Sequence, residues 1–226
     1  MKLPNKSLER NLFMSGYRLI YAVDEVGMGC LAGPVVVCAV AITNQFYKKT
    51  HKKLRWLRDS KLLLAKSREF YAEELLKEKD LVYALSYAYP KTIDKLNIYQ
   101  ASRWAMRRAV RKVYSSLYMV SGIQNTKYKI QDTVFKSIVL VDGNKKIPGL
   151  KGEQIAIVRG DRRVFAIACA SVIAKVFRDK MMVQYAKKYP GYGFEKHKGY
   201  GTKYHQVKLA SLGPCAIHRR SFRLTY

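Results

Sequence analysis

The chain has 226 residues, 49% of them hydrophobic, which is enough to build one compact core and excludes an intrinsically disordered protein. Its 43 Lys and Arg against 16 Asp and Glu leave a formal net charge of +27, which indicates a polyanionic partner, either nucleic acid or an anionic membrane. The longest apolar stretches, such as residues 34–42, fall short of the roughly 18 residues that a spanning helix needs, so we expect no membrane partner and a cytoplasmic location.

The first half of the chain predicts three strands and two helices. Residues 17–23 alternate and are rich in Leu, Ile, Tyr and Val, which predicts a strand that ends at a Gly-rich turn. Residues 34–42 are a continuous β-branched run, typical of a strand covered on both faces, and residues 81–89 alternate like a third strand. Residues 60–79 have helical composition, and the apolar residues in 97–118 recur with the spacing of a long amphipathic helix.

The second half predicts a loop and then alternating strands and helices. Residues 121–132 are polar and predict a loop, whereas 138–141 and 154–158 predict short strands. Residues 165–188 predict a long helix rich in small side chains, and 202–212 a short helix ended by Gly213 and Pro214. The order of elements indicates an α/β fold, a mixed central sheet flanked by helices.

Cysteine and histidine form no recognisable ligand or redox pattern. The four cysteines and four histidines contain neither C-x-x-C nor H-E-x-x-H spacing. We therefore expect reduced cysteines, no disulfide framework and no zinc site.

A few acidic residues stand out because they follow apolar runs. Asp24 and Glu25 follow the first predicted strand, and Asp142 and Asp161 follow two later ones. Each acid could have its own Arg or Lys partner, but three such sites at strand ends favour a shared cluster that divalent cations neutralise. Consecutive strand residues point to opposite faces, so Asp24 and Glu25 could converge only where the turn breaks the alternation.

A series of motifs in order along the chain, covering roughly residues 20–222, resembles the ribonuclease HII family. The motifs are residues 24–34 (DEVGMGCLAGP), 59–61 (DSK), 97–102 (NIYQAS), 141–144 (VDGN), 159–161 (RGD), 170–179 (ASVIAKVFRD), 189–202 (YPGYGFEKHKGYGT) and 218–222 (HRRSF).

The resemblance implies an RNase H-like catalytic domain over residues 1–188 and a small substrate-contacting helical and loop extension over 189–226, packed on the same domain. It implies an endonuclease that cuts RNA/DNA hybrids, and single ribonucleotides in DNA, on the 5′ side of the ribonucleotide, leaving 3′-hydroxyl and 5′-phosphate ends. The protein would act as a monomer with two Mg²⁺ or Mn²⁺ ions and no other cofactor. The implied metal ligands are Asp24, Glu25, Asp142 and Asp161.

The resemblance also implies residues that contact the substrate. Tyr200 matches the tyrosine that packs against a sugar beside the scissile bond. The other candidates are Gly27, Met28, Gly29, Lys61, Lys175, Lys198 and Arg220, and for the last four a solvated surface cation is an open alternative. Met28 stands where the family usually has Arg, which predicts weaker preference for a lone ribonucleotide. Asp179 lies between two cations in a helix and is interpreted as a surface ion-pair partner or a helix-face acid, not as a ligand.

Three other kinds of protein share some of these features, and two of them remain open alternatives. The first motif is also similar to ribonuclease HIII, but that family has an extra N-terminal domain. The roughly 16 residues before the first predicted strand leave no room for such a domain. A basic nucleic-acid-binding protein could retain the fold without the chemistry, although all four acids are present. A DNA-specific nuclease or integrase-like protein could share the same fold.

Overall fold

The computed structural model describes residues 7–54, 56–57, 60–120 and 136–223. The predicted loop at 121–132 and Asp59 of the second motif lie outside the described residues. Within them the strands are β1 (Leu19–Val26), β2 (Val35–Thr43), β3 (Val82–Ala88), β4 (Ser137–Asp142) and β5 (Glu153–Ile157). The helices are α1 (Ser7–Met14), α2 (Asn44–Lys53), α3 (Ala65–Lys77), α4 (Pro90–Leu96), α5 (Ile98–Val120), α6 (Gly160–Arg163), α7 (Phe165–Lys188), α8 (Phe194–His197) and α9 (Lys203–Leu212), with a 3-10 turn at Ser60–Leu62.

The strands form one mixed sheet in the order β3-β2-β1-β4-β5. β1, β2 and β3 are an antiparallel meander, whereas β4 and β5 run parallel to β1. The carboxyl ends of β1, β4 and β5 therefore meet at one edge of the sheet. The parallel pairing of Val23 with Val141 places the next residues of the two strands, Asp24 and Asp142, side by side at that edge.

Helices cover both faces of the sheet, as the sequence predicts. On one face α7 packs against β1, β2 and β4, where small residues such as Ala166, Ala170 and Ala174 are fully buried. Small side chains let the helix approach the strands closely. On the other face α5 packs against β1, β2 and β3 through Ala101 and Ala105, so its arginines lie mostly away from the strands.

The predicted strands and long helices are confirmed with shifted ends. The first strand runs from residue 19 to 26 rather than 17 to 23, and the helix predicted to begin at residue 60 begins at 65, after the 3-10 turn. Helices α1, α2, α4, α6 and α8 were not predicted. α1 contributes a contact that no local pattern shows, because Glu9 Oε1 accepts a hydrogen bond from the Ala166 N–H at the start of α7.

Residues after 188 pack on the end of α7 and on the loop after β1. A third apolar cluster joins Ala32 and Met182 to Phe194, Leu209 and Ile217. Two isolated β-bridges, Cys30 with Tyr200 and Ala32 with His218, tie the same parts together. The division into a catalytic domain and an extension at residue 188 stays a prediction.

Two further observations concern the chain as described. All four cysteines are free thiols. Among the described helices, none combines the length and the apolar character needed to cross a bilayer.

Candidate active site

The four candidate acids come from three parts of the fold. Asp24 and Glu25 lie in β1, and Asp142 is the last residue of β4. Asp161 does not end a strand, because the chain leaves β5, turns through Arg159 in a left-handed conformation (φ 54°) and begins the short helix α6. Asp161 lies in the first turn of that helix and is 8% exposed.

Asp24 and Glu25 face opposite sides of the sheet. The pairing of β1 with β2 continues without interruption to Val26, so the break in alternation that would let both side chains converge is absent. Asp24 lies on the α7 face, where Ser171 forms a hydrogen bond with it, whereas Glu25 lies near Arg103 of α5. Asp142 at the shared edge still interacts electrostatically with both.

Burial and mutual repulsion dominate the electrostatics of the first two acids. Asp24 is 4% exposed, and desolvation, followed by the charges of Asp142 and Glu25, raises its pKa well above the usual range. Desolvation and Asp142 also raise the pKa of Glu25 to about 7, although nearby Arg103 and Lys61 lower it. These carboxylates are held close enough to oppose one another's ionisation.

The acids at the shared edge of β1 and β4 are not each paired with an Arg or Lys of their own, which was the alternative to a shared cluster. Among the described residues, no salt bridge involves Asp24, Glu25 or Asp142. Asp142 Oδ1 instead accepts a hydrogen bond of 2.6 Å from the Gly160 N–H, and Asp24 Oδ1 accepts one of 2.7 Å from the Glu25 N–H. Glu25 Oε2 is buried and has no hydrogen-bond partner in the described part of the chain.

The acids are electrostatically coupled, but their side chains are not yet arranged as a set of ligands. Within the described ranges, no three His, Cys, Asp or Glu side chains form a group that could hold a metal ion as they stand. The geometry explains this result, because Asp24 and Glu25 leave opposite faces of β1 and the Asp142 carboxylate is turned onto Gly160.

Two groups beside the acids were not singled out by the sequence. The Ser171 and Ser60 hydroxyls lie 3.1 Å apart, which connects Asp24 to the 3-10 turn that carries Lys61. Arg103 of α5 is 7% exposed and lies close enough to Glu25 to lower its pKa. A seryl hydroxyl and an arginine on an amphipathic helix have no sequence pattern that distinguishes them from surface residues.

The Gly-rich turn after β1 combines an enclosed start with an open tip. Gly27 has a φ of 101°, and a Cβ there would lie 2.3 Å from Arg178 Nε, so the position requires glycine. Gly29 is exposed, with nothing within 4 Å of an added Cβ. Met28 is half-buried and packs against the apolar cluster beneath α5.

Tyr200 borders a basic groove of about 580 Å³. Its ring centroid lies 5.7 Å from Lys175 Nζ, which in turn lies 2.7 Å from Asp179 Oδ1. The interpretation of Asp179 as an ion-pair partner is thus confirmed, and Arg68 lies 3.7 Å from its other oxygen. The groove is lined by Ala65, Arg68, Glu69, Lys175, Val176, Asp179, Lys180, Val183, Gln184, Lys196, His197, Lys198 and Tyr200.

The remaining predicted contacts differ in position. Lys61 is exposed but close enough to Glu25 to lower its pKa. The Arg220 side chain is exposed, and its backbone N–H donates to Asp94 Oδ2. The side chain that contacts the Gly-rich turn is that of its neighbour Arg219.

Comparisons with known proteins give one consistent family. The family described as Ribonuclease HII matches residues 22–225. Among curated proteins, the Ribonuclease HII of Caldicellulosiruptor bescii is 44% identical over 215 residues, covering 95% of this chain and 91% of the relative.

Solved structures show a similar fold at lower identity. Ribonuclease H2 from Pyrococcus horikoshii OT3 superposes with a TM-score of 0.65 and 24% identity, covering 92% of this chain and 95% of that one. Bst-RNase HIII in complex with Mn²⁺ superposes with a TM-score of 0.62 and 14% identity, covering 93% of this chain and 68% of that one. The fold is therefore RNase H-like, as the resemblance predicted.

Proposed function

The chain belongs to the ribonuclease HII family, endonucleases that hydrolyse the RNA strand of RNA/DNA hybrids, and we propose that its four acids are the catalytic centre of that reaction. The observation that supports this proposal is the electrostatic coupling at the edge of β1 and β4. Asp24 interacts there with the charges of all three other acids, although it is almost fully buried. A fold gains no stability from such an arrangement, which is typical of a functional site.

The residues at this edge fit divalent cations. Carboxylate oxygens are the hard ligands that Mg²⁺ and Mn²⁺ prefer, and the buried Glu25 Oε2 has no hydrogen-bond partner among the residues that the structure describes. We propose that Asp24, Glu25, Asp142 and Asp161 would hold two such ions. The chemistry that two bound ions supply is activation of a water molecule and stabilisation of the leaving oxygen.

The surrounding residues would bind and orient the nucleic acid. Tyr200 would pack against a sugar next to the scissile bond, and the backbone of the Gly27–Gly29 turn would approach the ribose. Lys175 and Lys198 line the groove beside Tyr200 and would attract phosphates, as would the exposed Lys61 and Arg220. Cleavage on the 5′ side of a ribonucleotide, including a single ribonucleotide in DNA, is part of this proposal. A monomeric state and a cytoplasmic location stay predictions of the sequence.

A nicking assay with Asp142→Asn tests the assignment of the acids. The substrates are a labelled RNA/DNA hybrid, a DNA duplex with one ribonucleotide and an all-DNA duplex, each incubated with Mg²⁺, with Mn²⁺ or with chelator. Asp142→Asn keeps the oxygen that accepts from Gly160 but removes a charge, so we expect cutting to fall by about 10³-fold or more while binding persists.

The matched control is Asp80→Asn, because Asp80 precedes β3 at the other end of the sheet. We expect this variant to cut like the parent. Cutting by Asp142→Asn at the parent rate, or cutting that chelator leaves unchanged, would show that the acids are not the catalytic centre. Cutting of an all-DNA duplex would instead contradict the expected substrate.

A further inference from the structure

Arg178 and Arg219 are fully buried arginines at the junction between the Gly-rich turn and the C-terminal residues. Both are 0% exposed, and they are the largest fully buried side chains among the described residues. Within the same residues, no carboxylate forms a salt bridge with either guanidinium. A buried cation without a carboxylate partner is costly, so its position calls for a physical explanation.

Both guanidinium groups donate all their described hydrogen bonds to backbone carbonyls. Arg219 donates to Gly27 O at 2.7 Å, to Met28 O at 2.9 Å and to Gly33 O at 3.0 Å. Arg178 donates to Pro34 O at 3.0 Å, Ala32 O at 3.2 Å and Lys198 O at 2.8 Å. Five of these six carbonyls belong to residues 27–34.

These bonds leave the tip of the turn with two unused amides. The N–H groups of Leu31 and Gly33 donate within the protein, to Gly199 O and Ile217 O. In the described part of the chain, the N–H groups of Met28 and Gly29 donate to no protein acceptor, and Gly29 is exposed with open space beside it. Arg219 holds the carbonyls of Gly27 and Met28 towards the protein interior. The N–H groups of Met28 and Gly29 therefore remain available to donate to a ligand.

We propose that Arg219 is a positioning residue that fixes the Gly27–Gly29 turn for recognition of a ribose 2′-hydroxyl, and that Arg178 couples this turn to the Tyr200 loop. The inference rests on the function proposed above. A planar guanidinium with five donors can hold three carbonyls at once, whereas a lysine ammonium acts as a point charge. Arg178 joins Ala32 and Pro34 to Lys198, two residues before Tyr200, so the two substrate-contacting segments share one rigid support.

The segment that carries Arg219 is itself held in place. Asp94 of α4 accepts hydrogen bonds from the N–H groups of Arg220 and Ser221 and from the Ser221 hydroxyl. On the other side, His218 forms a β-bridge with Ala32. Burial lowers the pKa of Arg219 to about 10, which leaves the guanidinium charged at neutral pH.

The test measures how strongly the protein distinguishes one 2′-hydroxyl. In the Asp142→Asn background, binding is compared for two duplexes of identical sequence, one all-DNA and one with a single ribonucleotide. We expect Arg219→Lys to lower the ratio of the two affinities by about tenfold, the equivalent of one well-placed hydrogen bond, with all-DNA binding retained. A ratio within one sample does not depend on the fraction of folded protein.

Two further variants separate positioning from general destabilisation. Ile42→Ala creates a cavity at the end of β2 that lies away from the Gly-rich turn. It should lose about as much thermal stability as Arg219→Lys but leave the ratio of the two duplex affinities unchanged. Asp94→Ala removes the anchor of the Arg219 segment at the surface and should lower the ratio even if Arg219→Lys folds poorly. An unchanged ratio in Asp94→Ala and in any folded Arg219→Lys would overturn the inference.

A parent that binds both duplexes equally would overturn it as well. Neither result would affect metal-dependent cleavage, which the nicking assay measures separately. Failure of the inference and failure of the proposed function are thereby distinguished.

Discussion

Burial and neighbouring carboxylates make the environment of Asp24 unfavourable for its negative charge. It is almost fully buried, and its neighbours include three other acids. Replacement by Asn keeps the size of the side chain and the oxygen that accepts from the Glu25 N–H while removing the charge. The metal-free protein should therefore be more stable without this carboxylate than with it.

We expect Asp24→Asn to raise the free energy of unfolding by about 1–3 kcal/mol in chelator at pH 8, measured by urea denaturation. The same variant should lose cleavage activity. Asp80→Asn, far from the cluster, should change stability by less than about 0.5 kcal/mol. A less stable Asp24→Asn protein would contradict mutual repulsion at this edge.

Met28 replaces the arginine usual at the tip of the turn, and its side chain packs inward against the cluster beneath α5. We expect Met28→Arg to raise the ratio of kcat/KM for a single ribonucleotide to that for an all-RNA hybrid by about 3- to 10-fold, because a guanidinium adds a charge-assisted contact. Met28→Leu is the matched apolar control. Equal ratios in Met28→Arg and the parent would show that methionine at position 28 does not weaken the preference for a single ribonucleotide.

At the scale of residues, the sequence singled out the four acids but not the groups that surround them. Four acids beside apolar runs are conspicuous in a chain with only 16 acidic residues. Arg178 and Arg219 are not conspicuous among 43 cations, because nothing local distinguishes a buried arginine from a solvated one. Arg220 was predicted to contact substrate, and only the structure shows that its neighbour is the residue that holds the turn.

At the scale of elements, the strands and the long helices were predictable, whereas several of the shorter helices were not. β2 and α7 have long, uniform patterns of burial, and both were recognised from composition. α6 has four residues, too few to show a period, so Asp161 was placed at a strand end rather than in a helix. The capping of α7 by Glu9 joins residues 157 positions apart, which no local pattern can reveal.

Two histidines connect α9 and the C-terminal segment through hydrogen bonds. His205 Nδ1 lies 2.9 Å from Tyr200 O and must donate, so its Nε2 accepts from His218 Nε2 at 3.1 Å. His218 Nδ1 then accepts from the Cys215 N–H at 3.0 Å. The chain of bonds requires neutral imidazoles, and burial together with His205 lowers the pKa of His218 to about 4.

The pKa of His218 predicts how stability depends on pH. Between the ordinary value of 6.5 and about 4, the unfolded chain binds a proton at this residue that the folded chain does not. Stability is therefore fully present above pH 6.5 and is lost as the pH falls towards 4, by about 2–3 kcal/mol from this residue. Urea unfolding of the parent and of His218→Gln between these limits should show a smaller loss in the variant. Equal losses would exclude His218 as the cause.

At the scale of the whole molecule, the net charge of +27 predicts binding that depends steeply on salt. Neutralised phosphates release counterions, so we expect the affinity of the Asp142→Asn protein for a hybrid to fall by about 10³-fold or more between roughly 50 and 200 mM salt. The measurement is a binding titration at several salt concentrations. A flat response would contradict a phosphate-dominated interface.

The same titration separates local contacts from overall charge. Lys198→Gln and Lys151→Gln each remove one positive charge. Lys198 lines the groove beside Tyr200. Lys151 is exposed just before β5, at the end of the sheet away from the acids. If Lys198 contacts a phosphate, its variant should lower the slope of log affinity against log salt by about 1, and Lys151→Gln should leave the slope unchanged. Equal changes in both slopes would mean that the overall field, not the groove, attracts the duplex, because net charge falls by the same amount in each variant.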